Sequence, residues 1–143
     1  MWPVTDWIFQ GNGRRHDLHA GLAVSSIRSW RTPRYRDRTA AGDPVWLQLV
    51  GRDEPGIYYL GTITRPTHED ADWHPGDSPY ARWRTEVRFD YRIDPPLLRA
   101  ELLAAAGLAL FRPFRGFQGS TVPVPQDIAA ELRKRAERRL DAL

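Results

Sequence analysis

The stretch WRTEVRFDYRI, residues 83–93, constrains this chain more than any other. Trp83, Thr85, Val87, Phe89, Tyr91 and Ile93 alternate with Arg84, Glu86, Arg88, Asp90 and Arg92. Successive side chains of a strand point to opposite faces, so the pattern reads as a half-buried β-strand with a charged outer face. Such a strand needs partners, and the sequence supplies them. DWIFQ at 6–10 reads as a first, central strand closed by a turn at Gly11 and Asn12. After a turn at Gly42 and Asp43, Val45, Leu47 and Leu49 share one face of another strand. GIYYLGTITRP at 56–66 is rich in β-branched and aromatic residues and forms the next arm of a hairpin.

Helical signals flank these strands. A short helical turn is expected at 16–20, stopped by Gly21, and a helix is expected to begin after Pro95 and Pro96. From Pro125 onward, Ile128, Leu132, Ala136 and Leu140 recur at helical spacing. Residues 29–35 read as irregular or extended, because Pro33 cannot serve a central ladder position. Residues 67–82 are polar and turn-rich, long enough to be a functional loop. Strands in the middle with helices around them give an α+β class and a small mixed barrel, folded as one domain over residues 1–143.

Composition excludes several chemistries. The chain has no cysteine, which removes disulfides, thiolate zinc sites and cysteine nucleophiles. No secretory signal pattern opens the sequence and no apolar run could span a bilayer, so the expectation is a cytoplasmic protein without a membrane partner. GNGRRH at 11–16 follows a strand but lacks the third glycine of a dinucleotide fingerprint. His16, Asp17 and His19, and separately His68, Glu69, Asp70 and His74, lie close in sequence without a familiar metal-ligand spacing. Glu101 and Glu131 sit among arginines on predicted helices, where surface pairing is the simplest reading. No catalytic constellation, metal site or cofactor site emerges, and the chain is not expected to be an enzyme.

What remains is aromatic and basic. Of 21 basic residues only Lys134 is a lysine, against 18 acidic residues, for a net charge of +3. An arginine excess suits phosphate and base recognition, because the guanidinium fork makes paired hydrogen bonds and stacks on rings. It is equally what a GC-rich coding sequence produces. Trp30 precedes RTPRYRDR, in which Arg31, Arg34, Tyr35, Arg36 and Arg38 interleave ring and guanidinium. Such a mixture can stack a base and hold its phosphates. Trp73 and Tyr80 lie in the polar loop and Trp83 at its downstream edge; each could equally pack the end of a small barrel. The basic helix LRKRAERRL at 132–140 reads as a solvated face.

DWIFQGN, then SW, RYRDR and GDPVWLQL, then EPGIYYLGTI, and later RIDPPLLRAELL before FQGSTVP, occur in the order of the EVE domain. The chain thus resembles that small member of the PUA-like superfamily, related to the YTH readers of methylated RNA, from residue 6 to about residue 132. The resemblance implies a PUA-like mixed, partly closed β-barrel with flanking helices. It also implies a pocket for a flipped, possibly methylated or hydroxymethylated, base of single-stranded or base-flipped DNA or RNA.

Carried onto this sequence, the resemblance implies a pocket of Gln10, Gly11, Asn12, Trp30, Gln118, Gly119, Ser120 and Thr121, with a second wall from Trp73, Tyr80 or Trp83. Trp30 would stack the base, the glutamines, Asn12 and Thr121 would meet its edges, and Arg31, Arg34 and Arg36 would contact phosphates. Gln10 and Gln118 have a second reading, in which their amides tie neighbouring loops to the barrel. Pro33 departs from the family pattern, in which asparagine often precedes RYRD, and removes one potential base-reading amide. Two other functions stay open at this point: an enzyme acting on a nucleobase or nucleotide in the same pocket, and a protein-interaction module that has lost base binding. With no room for a fused effector in 143 residues, any nuclease or modification activity is expected from a separate partner.

Overall fold

The computed structural model describes residues 4–12, 15–32, 34–51, 54–115 and 121–143, with the backbone alone at residue 12 and at 15–17. Among the described residues, seven strands form one mixed sheet: β1 (Asp6–Asn12), β2 (Ile27–Arg31), β3 (Pro44–Val50), β4 (Gly56–Glu69), β5 (Trp83–Leu98), β6 (Thr121–Val124) and β7 (Leu140–Ala142). The order is β2-β5-β4-β3-β1-β6, with β7 added beside β5. β1 and β3 run parallel and the other neighbours antiparallel. The sheet does not close: β2 and β6 end its order without pairing to each other. The three α-helices among the described residues are α1 (Arg15–Val24), α2 (Arg99–Ala104) and α3 (Gln126–Ala136). No described helix is long and apolar enough to cross a membrane.

Apolar residues fill both faces of the sheet. On one face Trp7, Phe9, Val45, Leu47, Leu49, Ile63, Val87 and Phe89 pack with Leu18 and Leu22 of α1. On the other, Ile8, Trp46, Ile57, Ile93 and Leu97 pack with Leu102 of α2 and Ile128 and Leu132 of α3. Each fully buried side chain of this size contributes about 1.5–3 kcal/mol, so the two faces supply the driving force for the fold. Two buried indoles each find a carboxylate: Trp7 Nε1 donates to Asp43 Oδ2 at 2.9 Å, and Trp46 Nε1 to Asp6 Oδ2 at 2.9 Å. Asp6 also accepts from Arg133 Nη2 of α3 at 2.6 and 2.7 Å, which fastens that helix to the first strand.

Several sequence expectations require correction. Gly11 and Asn12 form no turn; β1 runs on through both, opposite Leu49 and Val50. Gly21 does not stop α1, which continues to Val24. A Cβ at Gly21 would lie 2.1 Å from Arg28 Nη2, so the missing side chain makes room for that guanidinium. Pro95 and Pro96 lie inside β5 and do not start a helix; α2 begins only at Arg99. They fall where the ladder jumps from Tyr59↔Arg92 to Ile57↔Leu97, a bulge in which no proline N–H is required. Leu140 belongs to β7 and not to the last helix, although it still packs on the α3 side. β4 extends to Glu69, so the polar loop is shorter than expected.

The alternation in β5 is real, but it does not address one core. Val87 and Phe89 join the α1 face, whereas Ile93 joins the opposite one, and Tyr91 is 38% exposed. The register slips between Leu60↔Tyr91 and Gly61↔Phe89, inserting one extra residue at Asp90. One inserted residue moves every later side chain to the other face.

Candidate nucleic-acid interface

The edge strand β2 carries Trp30 opposite Thr85 of β5. Its indole is partly buried against Phe9, at 6.4 Å and 40° between planes, and Phe89, at 6.3 Å and 74°. Among the described residues no ring lies parallel on it. A Cβ at Gly11 would stand 3.3 Å from Trp30 Cζ2, 3.4 Å from Cη2 and 3.0 Å from Leu49 Cδ2. Glycine therefore lets the indole edge settle over β1, which any larger side chain would resist. Thr121 pairs with Phe9 across β1 and β6, on this same face. Its side chain is 1% exposed, and its Oγ1 has no hydrogen-bond partner among the described residues. A buried hydroxyl without a partner is unusual, because desolvating it costs about 1–3 kcal/mol.

Gln10 faces the other way. Strand alternation puts it with Ile8 on the α2/α3 side, while Phe9 and Gly11 face Trp30. Gln10 Nε2 donates to Gln48 Oε1 at 3.2 Å, directly opposite in the parallel ladder, and Gln48 Nε2 donates to the Pro113 carbonyl at 3.0 Å. Gln48 is 2% exposed and was not anticipated; the signal was a lone amide between Leu47 and Leu49 in an apolar strand. Gln118, Gly119, Ser120 and Pro33 lie outside the described residues, as does the side chain of Asn12.

The remaining aromatic candidates gather elsewhere. Arg36 lies over the Trp83 ring at 4.4 Å, and Arg82 lies over both Trp83, at 5.2 Å, and Trp73, at 4.9 Å. Trp73 is held by its indole N–H donating to the Ser78 carbonyl at 3.0 Å. Tyr80 sits in a 3-10 turn at Pro79–Ala81 and is 68% exposed. The structure thus joins Trp73 and Trp83 through arginine and leaves them without a ring contact to Trp30. Arg31, Arg34 and Arg36 are exposed and have no carboxylate partner among the described residues. The loop that carries the last two is anchored on both sides. Tyr35, at φ 57°, lies 6.1 Å from the Trp7 ring. The hydroxyls of Thr32, Thr39, Thr67 and Thr85 form a chain with contacts of 2.5 Å for Thr32–Thr85, 2.7 Å for Thr67–Thr85 and 2.8 Å for Thr39–Thr67.

Several titratable groups singled out by the sequence have partners, while the side chains of His16 and Asp17 lie outside the described residues. His19 Nδ1 is hydrogen-bonded to the Tyr59 hydroxyl, and burial pushes the Tyr59 phenol above its ordinary range. Glu101 accepts two bonds of 2.8 Å from Arg139, which hold its carboxyl below the usual value. Glu131 accepts from Arg135 at 3.1 Å. Among the described residues no three histidine or acidic side chains converge to hold a metal.

No family model matches the sequence, and no curated protein matches it. Solved structures do match. A hypothetical protein from Leishmania major is similar over 95% of this chain and 96% of its own, with a TM-score of 0.77 and 20% identity. The human THYN1 protein, in complex with DNA containing 5-methylcytosine, is similar over 93% of this chain and 98% of its own, with a TM-score of 0.71 and 16% identity. The YTH domain of the Zygosaccharomyces rouxii MRB1 protein, in complex with N6-methyladenosine RNA, covers 98% of this chain and 90% of its own, with a TM-score of 0.58 and 13% identity. At such identities the likeness is one of fold. The α+β class expected from the sequence, a mixed sheet that is only partly closed and carries flanking helices, is the architecture of this chain.

Proposed function

We propose that this domain is a nucleic-acid-binding reader that takes a flipped, methylated or hydroxymethylated base against Trp30. The observation that carries the reading is the state of Trp30: a partly buried indole on an edge strand, its edge over Gly11, with no described ring stacked parallel to it. Phe9 and Phe89 brace the indole, so stacking a base costs little rearrangement. A methyl group on that base adds about 0.8 kcal/mol of buried apolar area. Thr121 supplies a hydroxyl on the same face that has no partner among the described residues; reaching it requires the side chains that cover it to part. Gln118, Gly119 and Ser120 immediately precede Thr121 in sequence and belong to the same proposal, as does Asn12 beside Gly11.

Gln10 enters as a support, since its amide is used on the opposite face to tie β1 to Gln48 and Pro113. Arg31 and Arg34 contact phosphates. The structures of the human THYN1 protein with 5-methylcytosine DNA and of the yeast YTH domain with N6-methyladenosine RNA support a modified base as the ligand. The role is binding rather than catalysis, with any chemistry on the nucleic acid left to a separate effector such as a nuclease or modification enzyme.

The test is equilibrium binding to short single strands carrying cytosine, adenine, 5-methylcytosine, 5-hydroxymethylcytosine or N6-methyladenine at two salt concentrations. A preference for one modified base that disappears in Trp30→Ala is the expected result. Salt-sensitive binding that is indifferent to the base, in both proteins, would overturn the reading.

A further inference from the structure

Trp73, Arg82, Trp83 and Arg36 form a ladder of alternating indole and guanidinium, and the Trp30 site uses none of it. Two guanidiniums thus lie within cation–π distance of one indole. Arg82 is partly neutralised by Glu69, with Nε 3.4 Å from Oε1, and its Nε is buried without a hydrogen bond. Arg36 is exposed and has neither a carboxylate nor a hydrogen-bond partner among the described residues. A guanidinium laid on a ring spends its face on the ring and keeps its in-plane N–H donors for something else. Those donors match the oxygens of a phosphate, which a guanidinium binds in paired fashion.

The ladder is also in the right place. Trp83 lies two residues along β5 from Thr85, the residue that faces Trp30 across the β2·β5 pairing. Two residues of a strand span about 7 Å, close to one nucleotide step of an extended single strand. We infer that the ladder is a second nucleic-acid contact, in which Arg36, oriented by Trp83, binds the phosphodiester next to the nucleotide held at Trp30. Trp73 and Trp83 then do not cage the base. Trp83 orients Arg36, while Trp73 and Arg82 buttress Trp83 from the loop. The inference rests on the reader assignment for its choice of ligand, but its signature differs from that of a base pocket. A phosphate contact is blind to the base and sensitive to salt.

The experiment measures binding against salt for Arg36→Gln, Arg36→Lys and Trp83→Leu. The probes are a single strand with one 5-methylcytosine and the same strand with an abasic site there, and folding of each variant is checked by thermal melting. Arg36→Gln is expected to weaken binding to both strands equally. The slope of log K against log salt should flatten by about 0.7, the value for one phosphate on a single strand. Arg36→Lys should restore the slope, while Trp83→Leu weakens binding with the slope intact. Unchanged affinity and slope in Arg36→Gln would overturn the ladder assignment, even if Trp30→Ala still removed the base preference. If wild type shows no base preference, the reader assignment fails, and the slope on the abasic strand still decides the role of the ladder.

Discussion

Replacing Thr121 by valine separates a ligand-reading hydroxyl from a structural one. The substitution keeps the shape of the side chain and removes an Oγ1 that is buried without a partner among the described residues. In the free protein that hydroxyl is withdrawn from water with no partner among the described residues. Its removal should therefore stabilise the fold by about 1–2 kcal/mol. For a domain of 143 residues this corresponds to a rise in melting temperature of roughly 3–8 °C. On the proposed reading the balance reverses in the complex, because the base edge loses a hydrogen bond worth about 0.5–1.5 kcal/mol, or roughly a 2- to 10-fold loss of affinity. The assay is a thermal melt of the free protein beside a titration with the preferred strand. A variant that melts higher and binds more weakly agrees with both halves of the argument. A lower melting temperature would show that Oγ1 has a partner in the folded protein. A higher one with unchanged affinity would remove Thr121 from the binding site.

Gly11→Ala places a Cβ 3.0 Å from the tip of Leu49 and 3.3 Å from the edge of Trp30. Leu49 and the braced indole must each shift by a few tenths of an ångström, so the melting temperature should fall by the equivalent of about 1–3 kcal/mol, while the modified-base preference falls in a binding titration. Breaking the threonine chain with Thr85→Val removes the 2.5 Å partner of the buried Thr32 hydroxyl, while Thr67 keeps its contact with Thr39. Chemical denaturation should report a loss of about 1–3 kcal/mol. The Glu101 carboxyl titrates below its ordinary 4.5, chiefly because Arg139 donates hydrogen bonds to it. Its contribution to stability is thus complete above pH 4.5 and lost as pH falls through the depressed value. Melting curves from pH 6 downward should show a shallower acid-induced decline in Arg139→Ala than in wild type across that window.

The α+β class and four strands, β1, β3, β4 and β5, were legible in the sequence because they rest on local periodicity, whereas β2, β6 and β7 were not. Residues 83–93 alternate as a strand must, and 128–136 repeat as a helix must. The choice of face was not legible. Gln10 and Gly11 are neighbours in sequence, yet the alternation of β1 sends one to Gln48 and the other to Trp30. Which of them faces Trp30 depends on which face α1 covers. A single inserted residue at Asp90 redirects Ile93 from one core to the other, and that insertion exists only relative to the β4 register. The two prolines that looked like a helix start lie in a bulge that only the β4 pairing creates. Trp73 and Trp83 read equally well as base cage or as packing, and only the folded chain brings Arg36 and Arg82, distant or adjacent in sequence, over their rings. Periodicity along the chain establishes what an element is, since it follows from the geometry of each residue and its neighbours. Partners, faces and sites arise from contacts between residues tens of positions apart, and those are decided only when the sheet is assembled.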